Sequence, residues 1–342
     1  MAYSDSVLRR AKTRLQRQRQ AHQARQRAQQ EKIFQQLPQV LDIHRQLRRT
    51  APKLAEVILR PGPDSAAALE ELRRENLALQ DREAALLDQA GYPVDALDQT
   101  PFCPLCKDRG WVGSEMCACL RTLCQEEQIK ELSSLLDLKG QSFETFRLDY
   151  YDREIPQGRR RSPMENMQMV LTICRRYAEL FGDGPRQNLL FFGPPGLGKT
   201  FLSACIARVV SDRGFSVVYD SAPNVFARFE AKKFAAPGED PGQAAADTRR
   251  YLTCDLLILD DLGTEFVSPF VQSVLYELIN TRLIEGTQTI ISTNLDRPQM
   301  EQRYSPQIFS RLEGEYSILP FYGRDIRLIK KNEPIVRKDP AL

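Results

Sequence analysis

The sequence of 342 residues contains no run of about 18 apolar residues, which excludes a membrane-spanning helix of ordinary length. Its first twenty residues, MAYSDSVLRRAKTRLQRQRQ, lack an apolar stretch of signal-peptide length. A transit peptide is also Arg-rich and acid-poor, but here the helix-forming Gln and Arg continue too far, so the expected location is the cytoplasm, with no membrane partner. Histidine is almost missing: His22 and His44 are the only two, and both stand well upstream of the cysteines. Thiol catalysis, which needs a base to activate the nucleophile, has no nearby histidine to draw on. Internal repeats, long low-complexity linkers and a second catalytic motif are absent. Acidic residues are scarce at one end only. Residues 1–50 hold twelve Lys and Arg against three acidic residues, so a chain of net charge +3 carries +9 there and −6 over the rest. Such an arm suits nucleic acid phosphates or an acidic partner, and it also reads as a solvated helix face that needs no ligand.

What is present has the length and the 42% hydrophobic content for at least one core and two or more domains. Residues 31–49 set Ile33, Leu37, Val40, Leu41 and Leu47 at helical spacing, and APKLAEVILRPGP closes the segment with prolines. Leu72, Leu79 and Leu86 stand at heptad spacing, but Leu69, Asn76 and Glu83 make the alternate seam poor, so this helix is expected to pack on its own domain rather than form a coiled coil. From about residue 188 short β-rich runs (NLLFFG, FSVVYD, DLLILDD, QTIIST) alternate with helices, the pattern of a mostly parallel sheet in an α/β domain. The stretch FAAPGEDPGQAAADT, residues 234–248, reads as a loop.

The chemistry starts where the first of these β-runs breaks into glycine. Gly193-Pro194-Pro195-Gly196-Leu197-Gly198-Lys199-Thr200, followed by Phe201, fits G-x-x-x-x-G-K-[ST] with a strand before it and a helix after it. Glycines let backbone N–H groups wrap phosphates, and the helix N-terminus adds a favourable dipole. Lys199 is expected on the β- and γ-phosphates and Thr200 on Mg²⁺. CDLLILDDLG then ends a buried strand on Asp260-Asp261, with Asp260 expected to hold Mg²⁺ and Asp261 to polarise the attacking water. QTIISTNL ends a third strand on Ser292, Thr293 and Asn294, polar groups suited to orienting water beside the γ-phosphate.

Five of the eight cysteines crowd into CPLCKDRGWVGSEMCACLRTLC: Cys103, Cys106, Cys117, Cys119 and Cys124. Pairs so closely spaced in a cytosolic chain point to a metal, and Cys103 with Cys106 makes a good Zn²⁺ half-site. Cys117 and Cys119 complete the expected set, with Cys124 open as a replacement for either. With only Phe102, Trp111 and a few aliphatics nearby, a zinc staple is expected to hold the segment. Cys174, Cys205 and Cys254 read as small core residues. NVFARFEAKKF interleaves Phe226, Arg228, Phe229, Lys232, Lys233 and Phe234 as single-strand stacking and phosphate contacts require. The stronger reading is an amphipathic helix that buries Val225, Phe226 and Phe229.

GPPGLGKT, LLILDDLG, ISTN and the later IFSRL resemble the AAA+ ATPases of the DnaC/DnaI helicase-loader and IstB group, over roughly residues 140–342 and including SFETFRLDYY ahead of the core. The Asp-Asp pair matches that group where many AAA+ proteins have Asp-Glu. The resemblance implies an AAA+ P-loop NTPase core of α/β class, ATP as the nucleotide, and Asn294 as a sensor. It makes Arg311 an arginine finger inserted into a neighbour's site and Arg327, or else Arg324, a sensor-like arginine. It also implies a DnaB-type replicative helicase as partner, single-stranded DNA, and self-assembly on ATP and DNA. An IstB-like helper of a DNA transposase is the alternative, and a non-hydrolysing adaptor a third. The all-cysteine cluster departs from DnaI, which has a histidine among its ligands. The implied division is a helical, basic, partner-binding region at 1–100, a zinc module at 101–125, a linker and domain start at 126–165, and the ATPase domain at 166–342.

Overall fold

The computed structural model describes residues 3–59, 65–138, 140–234 and 241–332. The chain forms two compact units: Thr13–Cys119, and a second made of the residues up to Lys12 together with those from Leu120 onward. This grouping differs from the four-part reading of the sequence in giving the first twelve residues to the ATPase side.

The reason lies in a short apolar stripe. Helix α1 (Asp5–Gln36) opens after Tyr3, and Tyr3, Val7 and Ala11, four apart, are all buried. The Tyr3 hydroxyl donates to the Gly214 carbonyl at 2.8 Å, and Arg10 pairs with Glu127 at 3.3 Å and Glu131 at 2.6 Å. Part of the basic arm is therefore neutralised within the ATPase unit.

In the unit Thr13–Cys119, α1 stops at Gln36 and α2 (Pro38–Leu59) begins one residue later. The single helix expected over 31–49 is thus two: Pro38, which lacks an N–H, stands in the first turn of α2, the helical position that suits it best. The prolines expected to close α2, at positions 61 and 63, lie outside the described residues. α3 (Ser65–Gln89) packs along α2 as expected. The residues that spoil its leucine seam have partners there: Asn76 Oδ1 accepts from the Thr50 hydroxyl at 2.8 Å, and Glu83 lies 3.2 Å from His44 Nδ1. Ile33, Val40, Leu87 and Leu97 form this unit's apolar centre. A small antiparallel hairpin, β1 (Trp111–Val112) with β2 (Glu115–Met116), ends the unit.

The second unit continues through α4 (Ala118–Ser133) and α5 (Pro163–Glu179). The sheet strands and helices then alternate: β3 (Asn188–Phe192), α6 (Lys199–Asp212), β4 (Val217–Ser221), α7 (Ala222–Lys233), α8 (Pro241–Thr253), β5 (Leu256–Leu262), α9 (Pro269–Glu285) and β6 (Gln288–Thr293). α10 (Arg297–Arg303), α11 (Pro306–Glu315), β7 (Tyr316–Pro320) and α12 (Ile326–Asn332) complete it. The sheet is wholly parallel in the order β4-β5-β6-β3-β7. Its strands read as continuous apolar runs because both faces are covered: Leu189, Phe191, Ile258 and Ile290 enter one core, while Leu190, Leu257, Leu259 and Ile291 enter the other. The four expected strands form, and β7 adds an edge beside β3. Of the expected loop at 234–248, residues 235–240 lie outside the described set, and 241 onward is helical instead.

Candidate functional site

The strand order sets three chain ends side by side. β6 lies between β3 and β5, so the loop after β3, the acidic end of β5 and the polar end of β6 meet at the sheet's C-terminal edge. Between β3 and α6 the chain turns on glycine. Gly193 has φ +140° and Gly198 φ +89°, and a Cβ on Gly193 would strike the Phe321 carbonyl oxygen. The Lys199 ammonium folds back over this loop, donating to the carbonyls of Gly193 at 2.5 Å and Pro194 at 2.9 Å and to Asn294 Oδ1 at 2.7 Å. Burial lowers its pKa to about 8, although the nearby Asp261 and Asp260 charges oppose the shift.

A regular strand would turn Asp260 and Asp261 to opposite faces. β5 instead shifts register against β6 between Leu259 and Leu262, and Asp261 adopts φ +54° in the left-handed region that Asp tolerates. Asp260 stays buried and accepts from the Thr200 hydroxyl at 3.0 Å, while Asp261 lines the cavity and receives Asn294 Nδ2 at 3.4 Å. Burial first, and then the like charge of Asp260, raise the Asp261 pKa above the ordinary aspartate value.

The cavity encloses about 460 Å³, within the range of small-ligand pockets, roughly 300–1,000 Å³. Pro195, Gly196, Leu197, Gly198, Lys199, Thr200, Phe201, Asp261, Asn294 and Arg327 line it, as do Gln141, Thr145, Phe146, Arg147, Tyr150 and Lys330. The second group was not singled out as a site by sequence reasoning; for Thr145, Phe146, Arg147 and Tyr150 the signal was the aromatic density of SFETFRLDYY, while Gln141 and Lys330 stand outside that stretch. These residues are tied to the phosphate loop: the Tyr151 hydroxyl donates to the Leu197 carbonyl at 2.8 Å, and Phe146 stacks on Tyr151 and meets Phe201 edge-on.

Other expected residues fall elsewhere. Ser292 and Thr293 are buried and committed, Ser292 to Asp260 and Thr293 to the Leu262 carbonyl at 2.6 Å, so only Asn294 of that trio reaches the cavity. Arg324 pairs with Asp152 and does not line the cavity, whereas Arg327 does. Arg311 sits on α11 outside it, its guanidinium 5.3 Å from the centre of the Tyr276 ring.

Residues 181–312 match the family described as "IstB-like ATP binding protein". This stretch is similar to the ATP-binding domains of the IstB/DnaC type. Over 161 residues the chain is 25% identical to the "Replicative helicase loader DnaC" of Escherichia coli K12, a match that covers 47% of this chain and 64% of that protein, less than two thirds of its length. An insertion-sequence ATP-binding protein of Sinorhizobium fredii is 34% identical over 107 residues, covering 31% of this chain and 34% of that one. A crystal structure of the DnaC helicase loader superposes with a TM-score of 0.43 at 19% identity, over 54% of this chain and 99% of that one.

The lysine of the IstB/DnaC-type domain carries a pH prediction. A bound phosphate needs the charged ammonium, so above about pH 8 each binding event must take up a proton. Nucleotide affinity is expected to be flat up to about pH 7 and then to fall, approaching about tenfold per pH unit above pH 8. A fluorescent nucleotide titrated between about pH 6.5 and 9.5 tests this; a flat profile contradicts it.

In the other unit, Cys103, Cys106, Cys117 and Cys119 hold their sulphurs within 4.8 Å of one another. Cys103 to Cys117 is 3.8 Å and Cys106 to Cys119 is 3.5 Å, close to the roughly 3.8 Å edge of a tetrahedron with Zn–S about 2.3 Å. The turn is built for this. Lys107 and Asp108 take positive φ, the Asp108 carboxylate accepts from the Cys103 N–H, and the Gly110 N–H donates to Cys106 Sγ at 3.2 Å. Burial pushes the Cys106 thiol up, but the Gly110 N–H and the neighbouring cysteines outweigh it and bring it to about 7. Cys124 belongs to the ATPase unit, fully buried on α4, so the group closes on Cys119. Cys174, Cys205 and Cys254 are core residues as expected.

On α7 the amphipathic reading holds for Val225, Phe226 and Phe229, which are buried and unable to stack on bases. Arg228 lies 3.6 Å from Asp220. Lys232, Lys233 and Phe234 remain exposed, with Lys233 Nζ 4.8 Å above the Phe270 ring and Phe234 beside it.

Proposed function

We propose that this chain is an ATP-dependent loader of a DnaB-type replicative helicase onto single-stranded DNA in the cytoplasm. The observation that carries the reading is the combination of an IstB/DnaC-type nucleotide domain with a preceding helical unit that ends in a four-cysteine cluster. The helical, basic region at 1–100 and the cysteine module at 101–125 grip the helicase, and residues 126–342 carry the linker and the ATPase.

Lys199 and the backbone of residues 193–198 bind the phosphates, and Phe201 and Arg327 line the same cavity. Thr200 and Asp260, 3.0 Å apart, are an oxygen pair suited to Mg²⁺, which when bound offsets phosphate charge. Asp261, held above the usual carboxylate range, polarises water, and Asn294 links it to Lys199. Arg311 serves a neighbouring copy, so hydrolysis is weak in the monomer and the γ-phosphate state is read as assembly. The four cysteines hold Zn²⁺ as a structural staple, their spacing fitting a tetrahedral thiolate site. Lys232, Lys233, Phe234 and Phe270 offer single-stranded DNA positive charge beside aromatic faces.

An IstB-like helper of a DNA transposase is the second reading, favoured by the family match itself and by the insertion-sequence relative. Co-assembly with the hexameric replicative helicase of the same genome, followed by solution mass, separates the two.

A further inference from the structure

Asp260 is filled with hydrogen bonds. Its Oδ1 accepts from the Ser292 hydroxyl and from the Asp261 N–H at 3.1 Å, and its Oδ2 accepts from the Thr200 hydroxyl at 3.0 Å and the Tyr219 hydroxyl at 2.6 Å. An ionised carboxylate offers about four lone-pair positions, so these donors leave none over. Asp260 is only 3% exposed.

Three of the four donors have another task. Thr200 is itself a candidate metal ligand, the Asp261 N–H is backbone at the bulge, and Ser292 also accepts from that N–H at 3.1 Å. Tyr219 comes from the neighbouring strand β4, where it pairs in register with Ile258. The next residue pins the strand: buried Asp220 accepts from the Tyr251 hydroxyl at 2.7 Å and from Asn224 at 3.1 Å. Tyr219 is only partly buried, while Asp220 beside it holds the strand in place.

We propose that Tyr219 is a placeholder on the Asp260 carboxylate: it occupies the Oδ2 position that Mg²⁺ or its bound water requires, and yields it when nucleotide and Mg²⁺ bind together. The inference rests on the nucleotide and Mg²⁺ reading above. Its consequence is that Tyr219 sets the Mg²⁺ concentration at which the site engages.

The test is binding of a fluorescent ADP analogue to the full chain, titrated with Mg²⁺, for wild type and Tyr219→Phe. The variant is expected to reach half-maximal enhancement at about tenfold lower Mg²⁺, the scale of one hydrogen bond to a charged group, with Mg²⁺-free affinity unchanged. An unchanged or raised midpoint overturns the proposal, and a merely structural role would lower thermal stability without lowering the midpoint. Independently of how the variant folds, 3-fluorotyrosine placed at position 219 is expected to change its fluorine resonance only when Mg²⁺ joins the nucleotide. No Mg²⁺-linked change overturns the proposal. Wild-type nucleotide binding that ignores Mg²⁺ would remove the underlying reading as well, which separates the two failures.

Discussion

Arg311→Ala is expected to bind nucleotide as wild type does and to lose assembly-stimulated ATP turnover by about 10³-fold, the scale of an arginine supplied in trans. Among the described residues, the positive charges lining the cavity from the same chain are Lys199 and Arg327 with Arg147 and Lys330. Arg311 is on α11, over the Tyr276 ring and apart from the residues that line its own cavity. If it completes a neighbour's site, complementation follows. Mixing Arg311→Ala with Lys199→Ala creates some interfaces with an intact lysine on one side and an intact arginine on the other, so part of the turnover returns although neither variant turns over alone. Turnover and nucleotide affinity, measured across protein concentration, check both statements. Full activity of Arg311→Ala contradicts the role.

The second large effect concerns the cysteines. A structural Zn²⁺ contributes on the order of 10 kcal/mol to a small module, and loss of a ligand forfeits much of it. Around Cys103, Cys106 and Cys117 the packed neighbours are Phe102 and Cys119, too little apolar surface to replace a metal. Cys106→Ser, or strong chelation, is therefore expected to unfold residues 101–119 while nucleotide binding by the other unit persists. Metal analysis and amide exchange across the hairpin read it out. Protein purified without chelator that holds well under about one zinc per chain contradicts the assignment.

The parts legible in the sequence are those whose partners are near in sequence or whose signal is contiguous. The phosphate loop is one strand, one turn and one helix, and Cys103 to Cys119 closes over a single hairpin. The choice of Cys119 over Cys124 depended on where α4 begins and which unit each cysteine joins, which spacing alone leaves open. Tyr219 escaped notice because its bond to Asp260 depends on the register of β4 against β5, and a tyrosine in FSVVYD looks like any apolar strand residue. The bulge that separates the tasks of Asp260 and Asp261 is invisible in LLILDDL for the same reason. Phe226 and Phe229 left two readings open in the sequence: aromatic residues beside basic ones fit nucleic acid stacking, while their helical spacing fits a core, and it is the core they serve. The docked start of α1 was hidden by its charge, since the Arg residues around Tyr3, Val7 and Ala11 outweigh a stripe of one apolar residue per turn.

The central proposal is that this chain carries a replicative helicase to DNA, and the most direct measurement is the solution mass of the full-length chain mixed with the hexameric replicative helicase of the same genome in ATP and Mg²⁺. The expected result is a discrete complex of one helicase hexamer with several copies of this chain, lost when residues 1–125 are deleted. A mixture that contains only free hexamer and free chain under every nucleotide condition would contradict the loader reading and direct the same measurement to a transposase.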